Sequence, residues 1–343
     1  MTILAAIFVF GILVLVHELG HFIMAKATGM RVDRFAIGFG PRIAAFKKGE
    51  TEYSIRLLPL GGFNDIAGMD PESNEAGDRG YCAKSIPARM VVILAGVTMN
   101  LLLPIFLYFG IFFFSGIEKP VAEPILGRVL VNQPAARAGL QAGDRIVALD
   151  GQPIDSWQAF SEKIQASAGQ VIAVRYERGQ EMQSTEMIPA YNAQEKRAMV
   201  GVTVAVTTEK VGFFESIRMA FTRTGSTLAF MLSMLVTIFT GAQTADLAGP
   251  IGVAQLAGQV AQFGFVPLLS FTALLSLNLA IINLLPIPAL DGGHFFALLI
   301  EAVRGKPLPP KALQYAQMVG FSLLILLTLY ATKNDIVRLL TGN

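Results

Sequence analysis

Cysteine, histidine and charge are all scarce in this chain. The single cysteine, Cys82, excludes an internal disulfide and any cysteine-based metal site, so a bound metal would need His, Asp or Glu as ligands. Only 15% of the residues are charged, and Lys+Arg 27 against Asp+Glu 25 leaves a net +2. That balance lacks the basic footprint of a nucleic-acid binder, so no nucleic-acid partner is expected. Apolar residues are abundant instead. The hydrophobic fraction is 53% and the mean hydropathy +0.54, the composition of an integral membrane protein.

Two of the three histidines lie in His17-Glu18-Leu19-Gly20-His21, inside a run from Ile3 to Ala27 that is otherwise almost wholly apolar. His-Glu-x-x-His on a helix is a zinc-protease signature with a physical basis. Histidines four residues apart project from one face and can share a metal. Glu18 follows on an adjacent face, where its carboxylate can take a proton from a water that the metal activates. Ionisable groups at membrane depth are expensive and point to function. The run itself reads as a retained span. No basic residue precedes His17, so the n-region of a signal peptide is missing, although Ala25-Lys26-Ala27 looks like a small-residue cleavage site.

Further apolar runs cover Val91 to Ile117, Thr224 to Ala245, Phe263 to Leu290 and Ala312 to Thr332. A bilayer core needs about 20 residues, so length allows five spans. The charges argue for four. Lys26, Arg31, Arg34, Arg42, Lys47, Lys48 and Arg56 mark the segment after the first helix as cytoplasmic, and Arg304, Lys306 and Lys311 mark a second such loop. Both stay inside only if the Gly-, Ser- and Thr-rich run 224–245 lies in the interface or re-enters. The expected organisation is a polytopic α-helical membrane protein with both chain ends outside. Its spans cover 1–28, 90–117, 263–290 and 312–332, with interfacial or half-buried helices over 212–245.

Two other regions do not span. Residues 31–63 alternate apolar and polar positions about Lys47-Lys48-Gly49-Glu50, which predicts a hairpin pairing Ile43–Phe46 with Glu52–Leu58. It reads either as an ordinary surface hairpin or as one dipping into the membrane, where protein or a watery cavity must satisfy its backbone. Residues 120–205 are soluble in character. Predicted elements are strands at 125–131, 144–149 and 171–177 with helices at 135–140 and 157–166. The run Pro134-Ala135-Ala136, Ala138-Gly139-Leu140, Gly143-Asp144-Arg145-Ile146 and Asp150-Gly151 resembles a PDZ domain of the bacterial, permuted type (α+β). Such domains bind extended peptides by strand addition.

A catalytic zinc site needs a third protein ligand. Asp291 is the candidate, in Asn283-Leu284-Leu285-Pro286-Ile287-Pro288-Ala289-Leu290-Asp291-Gly292-Gly293-His294. Pro286 and Pro288 break the helix there, exposing carbonyls that hydrocarbon would not tolerate. In the four-span arrangement the first helix and the span ending at Leu290 both run inward, so His17, His21 and Asp291 reach the same depth. His294 is a rival ligand, or else a polar residue near a helix start. Asn283 could hold a substrate backbone or serve as a helix–helix hydrogen bond.

Taken together, these motifs resemble the site-2 protease family of intramembrane zinc metalloproteases, in its bacterial RseP-like form with a single PDZ domain. The resemblance rests on residues 17–21, Phe35-Ala36-Ile37-Gly38-Phe39-Gly40-Pro41, Leu60-Gly61-Gly62-Phe63, the PDZ, Gly249-Pro250-Ile251-Gly252 and Asn283 through Gly292. It implies one Zn2+ per chain on His17, His21 and Asp291, Glu18 as catalytic base, and Asn283, Pro286 and Pro288 as substrate-binding residues. It further implies that the hairpin at 43–58 pairs with an unwound substrate, with Gly38, Gly40, Tyr53 and Ile55 contributing. Implied partners are single-span, anti-sigma-factor-like membrane proteins, signal-peptide remnants and an upstream protease, met by a monomer in the bacterial inner membrane. The PDZ would be extracytoplasmic and the active site towards the cytoplasm. The chain departs from the family in having one PDZ, in Asn64-Asp65-Ile66 after the Leu-Gly-Gly, and in Gly96-Val97 where Gly-Pro is common. Two rival readings are a divalent-metal transporter and a non-catalytic PDZ scaffold. They would leave Glu18, or the whole five-residue motif, without a role.

Overall fold

A computed structural model describes residues 2–69, 77–192, 197–241 and 249–341. The chain divides into two compact units, Met1–Phe113 with Gly212–Asn343, and Phe114–Val211.

The first unit opens with α1 (Thr2–Ala27), whose apolar run carries no proline to interrupt it. Strands β1 (Val32–Lys48) and β2 (Thr51–Ile66) follow, then α2 (Ile86–Gly110), which ends in a π-turn over Ile111–Ser115. The expected hairpin is present, with Phe46 opposite Tyr53 and Lys48 opposite Thr51, but it is larger than the alternation suggested. Arg34 to Ile37 pair with Asp65 to Gly62 on one side and face Glu52 to Ile55, in the same order, on the other. Each long strand therefore folds back on itself. Gly38 and Gly40 (φ 89° and 84°) allow the fold in β1, because only glycine adopts that backbone freely. Four stretches of sheet result, with 34–37 in an inner position.

The second unit, by itself, is a small α+β domain. Its elements are β3 (Ile117–Pro120), β4 (Leu126–Val129), α3 (Pro134–Arg137), β5 (Arg145–Leu149), β6 (Gln152–Pro153), α4 (Trp157–Ala166), β7 (Ile172–Arg178), β8 (Glu181–Met187), β9 (Ala190–Asn192), β10 (Arg197–Met199), β11 (Val202–Val204) and β12 (Val206–Glu209). The main sheet has the order β6-β5-β7-β8, while β11 pairs with β4, β10 with β9 and β12 with β3. Helix α4 matches its predicted bounds, and the Ser156 side chain caps it by accepting from the Ala159 N–H at 3.3 Å. Helix α3 is shorter than expected, because Gly139 (φ 79°) turns the chain out. Leu126, Ile146, Leu149, Phe160, Ile172 and Val174 form the core. A groove of about 270 Å³ lies between α4 and β10–β11.

Five helices complete the first unit: α5 (Phe213–Phe239), α6 (Pro250–Gln262), α7 (Phe265–Leu284), α8 (Asp291–Arg304) and α9 (Pro310–Thr341). The run expected to lie in the interface continues α5 as regular helix, and residues 242–245 of that run fall outside the described residues. Among the described residues, five helices are long and apolar enough to cross a membrane: α1, α2 with its π-turn, α5, α7 and α9. Helix α7 stops at Leu284, just ahead of Pro286 and Pro288, as a proline break requires.

Packing fixes the helix directions. Ala5, Val9 and Leu13 of α1 share a core with Leu103 of α2, Ala257 of α6 and Leu268 of α7. Near the other end of α1, Ala25 clusters with Val92 and Ile93 of α2 and Leu298 of α8. Helices α1 and α2 are therefore antiparallel, and α7 runs parallel to α1. These are the directions that bring residue 291 to the His17–His21 level.

Candidate active site

His17 and His21, one turn apart on α1, bring their Nε2 atoms within 3.2 Å of each other. Asp291, the first residue of α8, places Oδ2 3.2 Å from His17 Nε2 and 3.5 Å from His21 Nε2. Bonds of about 2.0–2.1 Å at tetrahedral angles set ligand atoms about 3.3 Å apart, so this triangle fits one face of a zinc tetrahedron and leaves a fourth corner open. Asp291 Oδ2 is buried and has no hydrogen-bond partner, as an atom reserved for a cation would be. Two imidazoles and a carboxylate form a donor set suited to zinc. Among the described residues these three form the cluster able to hold a metal, and His294 is not part of it. His294 instead sits in the first turns of α8, its N–H bonded to Leu290 O at 3.2 Å.

Helix α2 orients both imidazoles. His21 Nδ1 lies 2.8 Å from the carbonyl of Val92, and His17 Nδ1 lies 3.1 Å from the side-chain amide of Asn100. With Nε2 turned to a metal, Nδ1 of His21 carries the proton and Val92 O accepts from it, while Asn100 Nδ2 is the amide atom that meets His17 Nδ1. Between these two positions is Gly96, where an added Cβ would lie 2.3 Å from His21 Nε2. Glycine is required there because the imidazoles fill the space.

Glu18 is held by a residue outside the motif. Asn64 Nδ2 donates to its carboxylate at 2.7 Å and to its backbone carbonyl at 2.8 Å. Asn64 is on the second half of β2, which passes so close that a Cβ on Gly62 would lie 2.9 Å from Glu18 Cγ. Gly61–Asn64 is thus a stretch of β2 that lies beside Glu18. Tyr53 belongs to an aromatic cluster, 5.8 Å from Phe22 and 5.1 Å from Phe46 between ring centroids, and Ile55 is exposed. Asn283 is half-buried in the last turn of α7. Pro286 and Pro288 line a cavity of about 160 Å³ with His294 and residues of α9.

Neither Asn64 nor Asn100 was marked as functional by the local sequence. Asn100 carried one usable signal, a lone amide in a charge-free apolar run, and the structure buries it fully. Asn64 carried none, since only the doubled-back sheet brings it to α1.

The chain matches Peptidase family M50 over residues 5–327. A Clostridium perfringens protein provisionally named a zinc metalloprotease is 37% identical, with 98% of this chain and 99% of that one covered. The zinc metalloprotease RasP of Oceanobacillus iheyensis is 32% identical, and the regulator of sigma-W protease RasP of Bacillus subtilis 31%, each with 98% of this chain and 99% of the relative covered. Among solved structures, the PDZ domain of an SdrC-like protein from Listeria monocytogenes is 22% identical with a TM-score of 0.23, covering 26% of this chain and 93% of that one. That score does not by itself establish a fold. The family match spans nearly the whole chain, which belongs to Peptidase family M50, the site-2 proteases, and is a multi-pass membrane zinc metalloprotease carrying out intramembrane proteolysis.

Proposed function

We propose that His17, His21 and Asp291 hold the zinc and that Glu18 is the general base for hydrolysis of a peptide bond in an unwound transmembrane segment. The observation that carries this reading is the convergence of three ligand atoms from α1 and α8 beside a carboxylate fixed by Asn64. Bound zinc supplies Lewis acidity at the scissile carbonyl and makes water nucleophilic near neutral pH. Glu18 takes the proton of the attacking water and returns it to the leaving nitrogen. Asn64 keeps that carboxylate aimed, Val92 keeps His21 in the binding tautomer, and Asn100 orients the His17 ring. The substrate strand lies along Gly61–Phe63 by main-chain pairing, with Asn283, Pro286 and Pro288 flanking it.

The same proposal takes four spans, with α5 remaining on one side. Helix α5 starts against Phe109 and Phe113 at the far end of α2, and α6 starts where Asp335 of α9 accepts from the N–H groups of Gly249 and Gly252. A Cβ on Gly258 of α6 would meet Thr2, at the start of α1. Given the helix directions, all these points lie on one side. The chain enters α5 and enters α6 on the same side, the arrangement of an α5 that does not cross. The basic loops then face the cytoplasm, and the PDZ unit is extracytoplasmic, with its α4 groove open to an extended peptide. The substrates are single-span proteins of the anti-sigma-factor kind and signal-peptide remnants, in the bacterial cytoplasmic membrane.

Metal analysis with cleavage of a reconstituted single-span substrate tests the assignment. Glu18→Gln is expected to keep one zinc and lose about 10²–10⁴-fold in rate. Asp291→Asn is expected to lose both zinc and activity. Full zinc in Asp291→Asn would shift the third ligand towards His294, and wild-type cleavage by Glu18→Gln would sink the base.

A further inference from the structure

Helix α2 touches both histidines of the metal site through one face. Val92 meets His21, Gly96 makes room for both imidazoles, and Asn100 meets His17. On the same face, one turn before Val92, Arg89 forms a two-pronged ion pair with Glu301 of α8, Nη1 to Oε2 at 3.1 Å and Nη2 to Oε1 at 2.6 Å. Both side chains are largely buried, 10% and 14% exposed. Helix α8 begins at Asp291, and Asp291, Phe295, Leu298 and Glu301 recur at spacings that share a face. Between the two acids, Phe295 and Leu298 pack in one cluster with Val92 and Ile93.

Local helix energetics do not account for these charges. Arg89 lies near the N-terminus of α2 and Glu301 in the last turn of α8, so each sign opposes its own helix dipole. Net stability does not account for them either, since a buried pair contributes little, and Arg89 Nε is left buried without a partner. What a guanidinium–carboxylate fork does supply is a fixed orientation and register.

We propose that Arg89 and Glu301 are positioning residues that set the register of α8 on α2 and thereby deliver Asp291 to the metal. This rests on the reading of His17, His21 and Asp291 as ligands. The fork anchors one end of α8 and the carboxylate emerges at the other. The α2 face is thus a ruler for all three ligands: two imidazoles directly and the third through the helix that bears it.

Chelator competition on the purified full chain reads zinc affinity, and melting of the zinc-free protein reads the fold. Arg89→Glu is expected to weaken zinc about tenfold, with kcat lowered and KM unchanged. The exchange Arg89→Glu with Glu301→Arg, which suits both helix dipoles, is expected to restore affinity to within about threefold. Arg89→Lys keeps the charge without the fork and is expected to weaken zinc about threefold while the zinc-free melt stays put. This variant decides the matter if Arg89→Glu fails to accumulate. Wild-type affinity in Arg89→Glu or in Arg89→Lys overturns the proposal, as does a folded exchange variant that stays weak. Asp291→Asn is the reference. If it too binds zinc like wild type, the ligand reading itself has failed; if it alone loses zinc, only the ruler has.

Discussion

The face of α2 over 89–100 and the core of the PDZ unit are both buried, but by different means. The PDZ core is aliphatic and aromatic, with Ile146, Leu149, Ile172 and Val174 fully enclosed. The α2 face is built from a charge, a carbonyl, a glycine and an amide, and each touches a group of the metal site or its support. Hydrophobic packing is non-directional and tolerates repacking, so it fixes a fold without fixing an atom. Hydrogen bonds and close glycine contacts are directional, so they place atoms to a fraction of an ångström. One region stabilises the chain and the other aims its chemistry.

Substitutions should separate the two regions. The largest effect is expected from Gly96→Ala, whose Cβ would collide with both imidazoles. Displacing a catalytic group by about 1 Å costs about 100-fold, so cleavage of a reconstituted substrate should fall by at least that much. The PDZ unit should be unaffected. The chain's one tryptophan, Trp157, packs on that core 5.1 Å from Phe160, so its fluorescence melt should match wild type. Leu149→Ala should do the reverse, destabilising the PDZ unit by about 2–5 kcal/mol in the same melt while zinc content stays at wild type. Loss of zinc in Leu149→Ala, or a shifted Trp157 melt in Gly96→Ala, would break the contrast.

The smallest effect concerns a charge outside the spans. Hydrogen bonds from Arg79 and then Lys26 hold the Glu50 carboxyl down at about 2, against an ordinary value of 4.5. A lowered carboxyl contributes stability above its unfolded pKa and loses it as pH falls through the folded one. The tie between the 48–51 turn and Lys26 should therefore be complete above about pH 4.5 and lost as pH falls towards about 2. Hydrogen exchange of the turn amides in wild type and Glu50→Gln, compared at pH 7 and pH 3, measures it. Equal protection in the two proteins at pH 7 would show that the tie contributes nothing.

The cluster of His17, His21 and Asp291 was legible in the sequence to an unusual degree, because its signals are local. His17, Glu18 and His21 stand out against an apolar run, and Asp291 follows a proline break. The strands of the second unit were legible from alternation and turn residues, as β5 (Arg145–Leu149) and β7 (Ile172–Arg178) against the expected 144–149 and 171–177 show. The β1–β2 sheet was half legible. Its turn follows from Lys47-Lys48-Gly49-Glu50, but alternation cannot tell which of several strands a residue will face. Asn64 and its hold on Glu18 were invisible for that reason.

The sequence by itself determined the chemistry available: which groups can ligate, which can take a proton, and that they stand in or beside long apolar runs. Periodicity and composition are properties of neighbouring residues, and these features depend on nothing else. The tertiary structure decided which groups meet. It brought Asn64 to Glu18, Asn100 to His17 and Arg89 to Glu301 across separations of 46, 83 and 212 residues. Contacts at such range depend on helix register and strand doubling, set by packing over whole elements, so no local pattern encodes them.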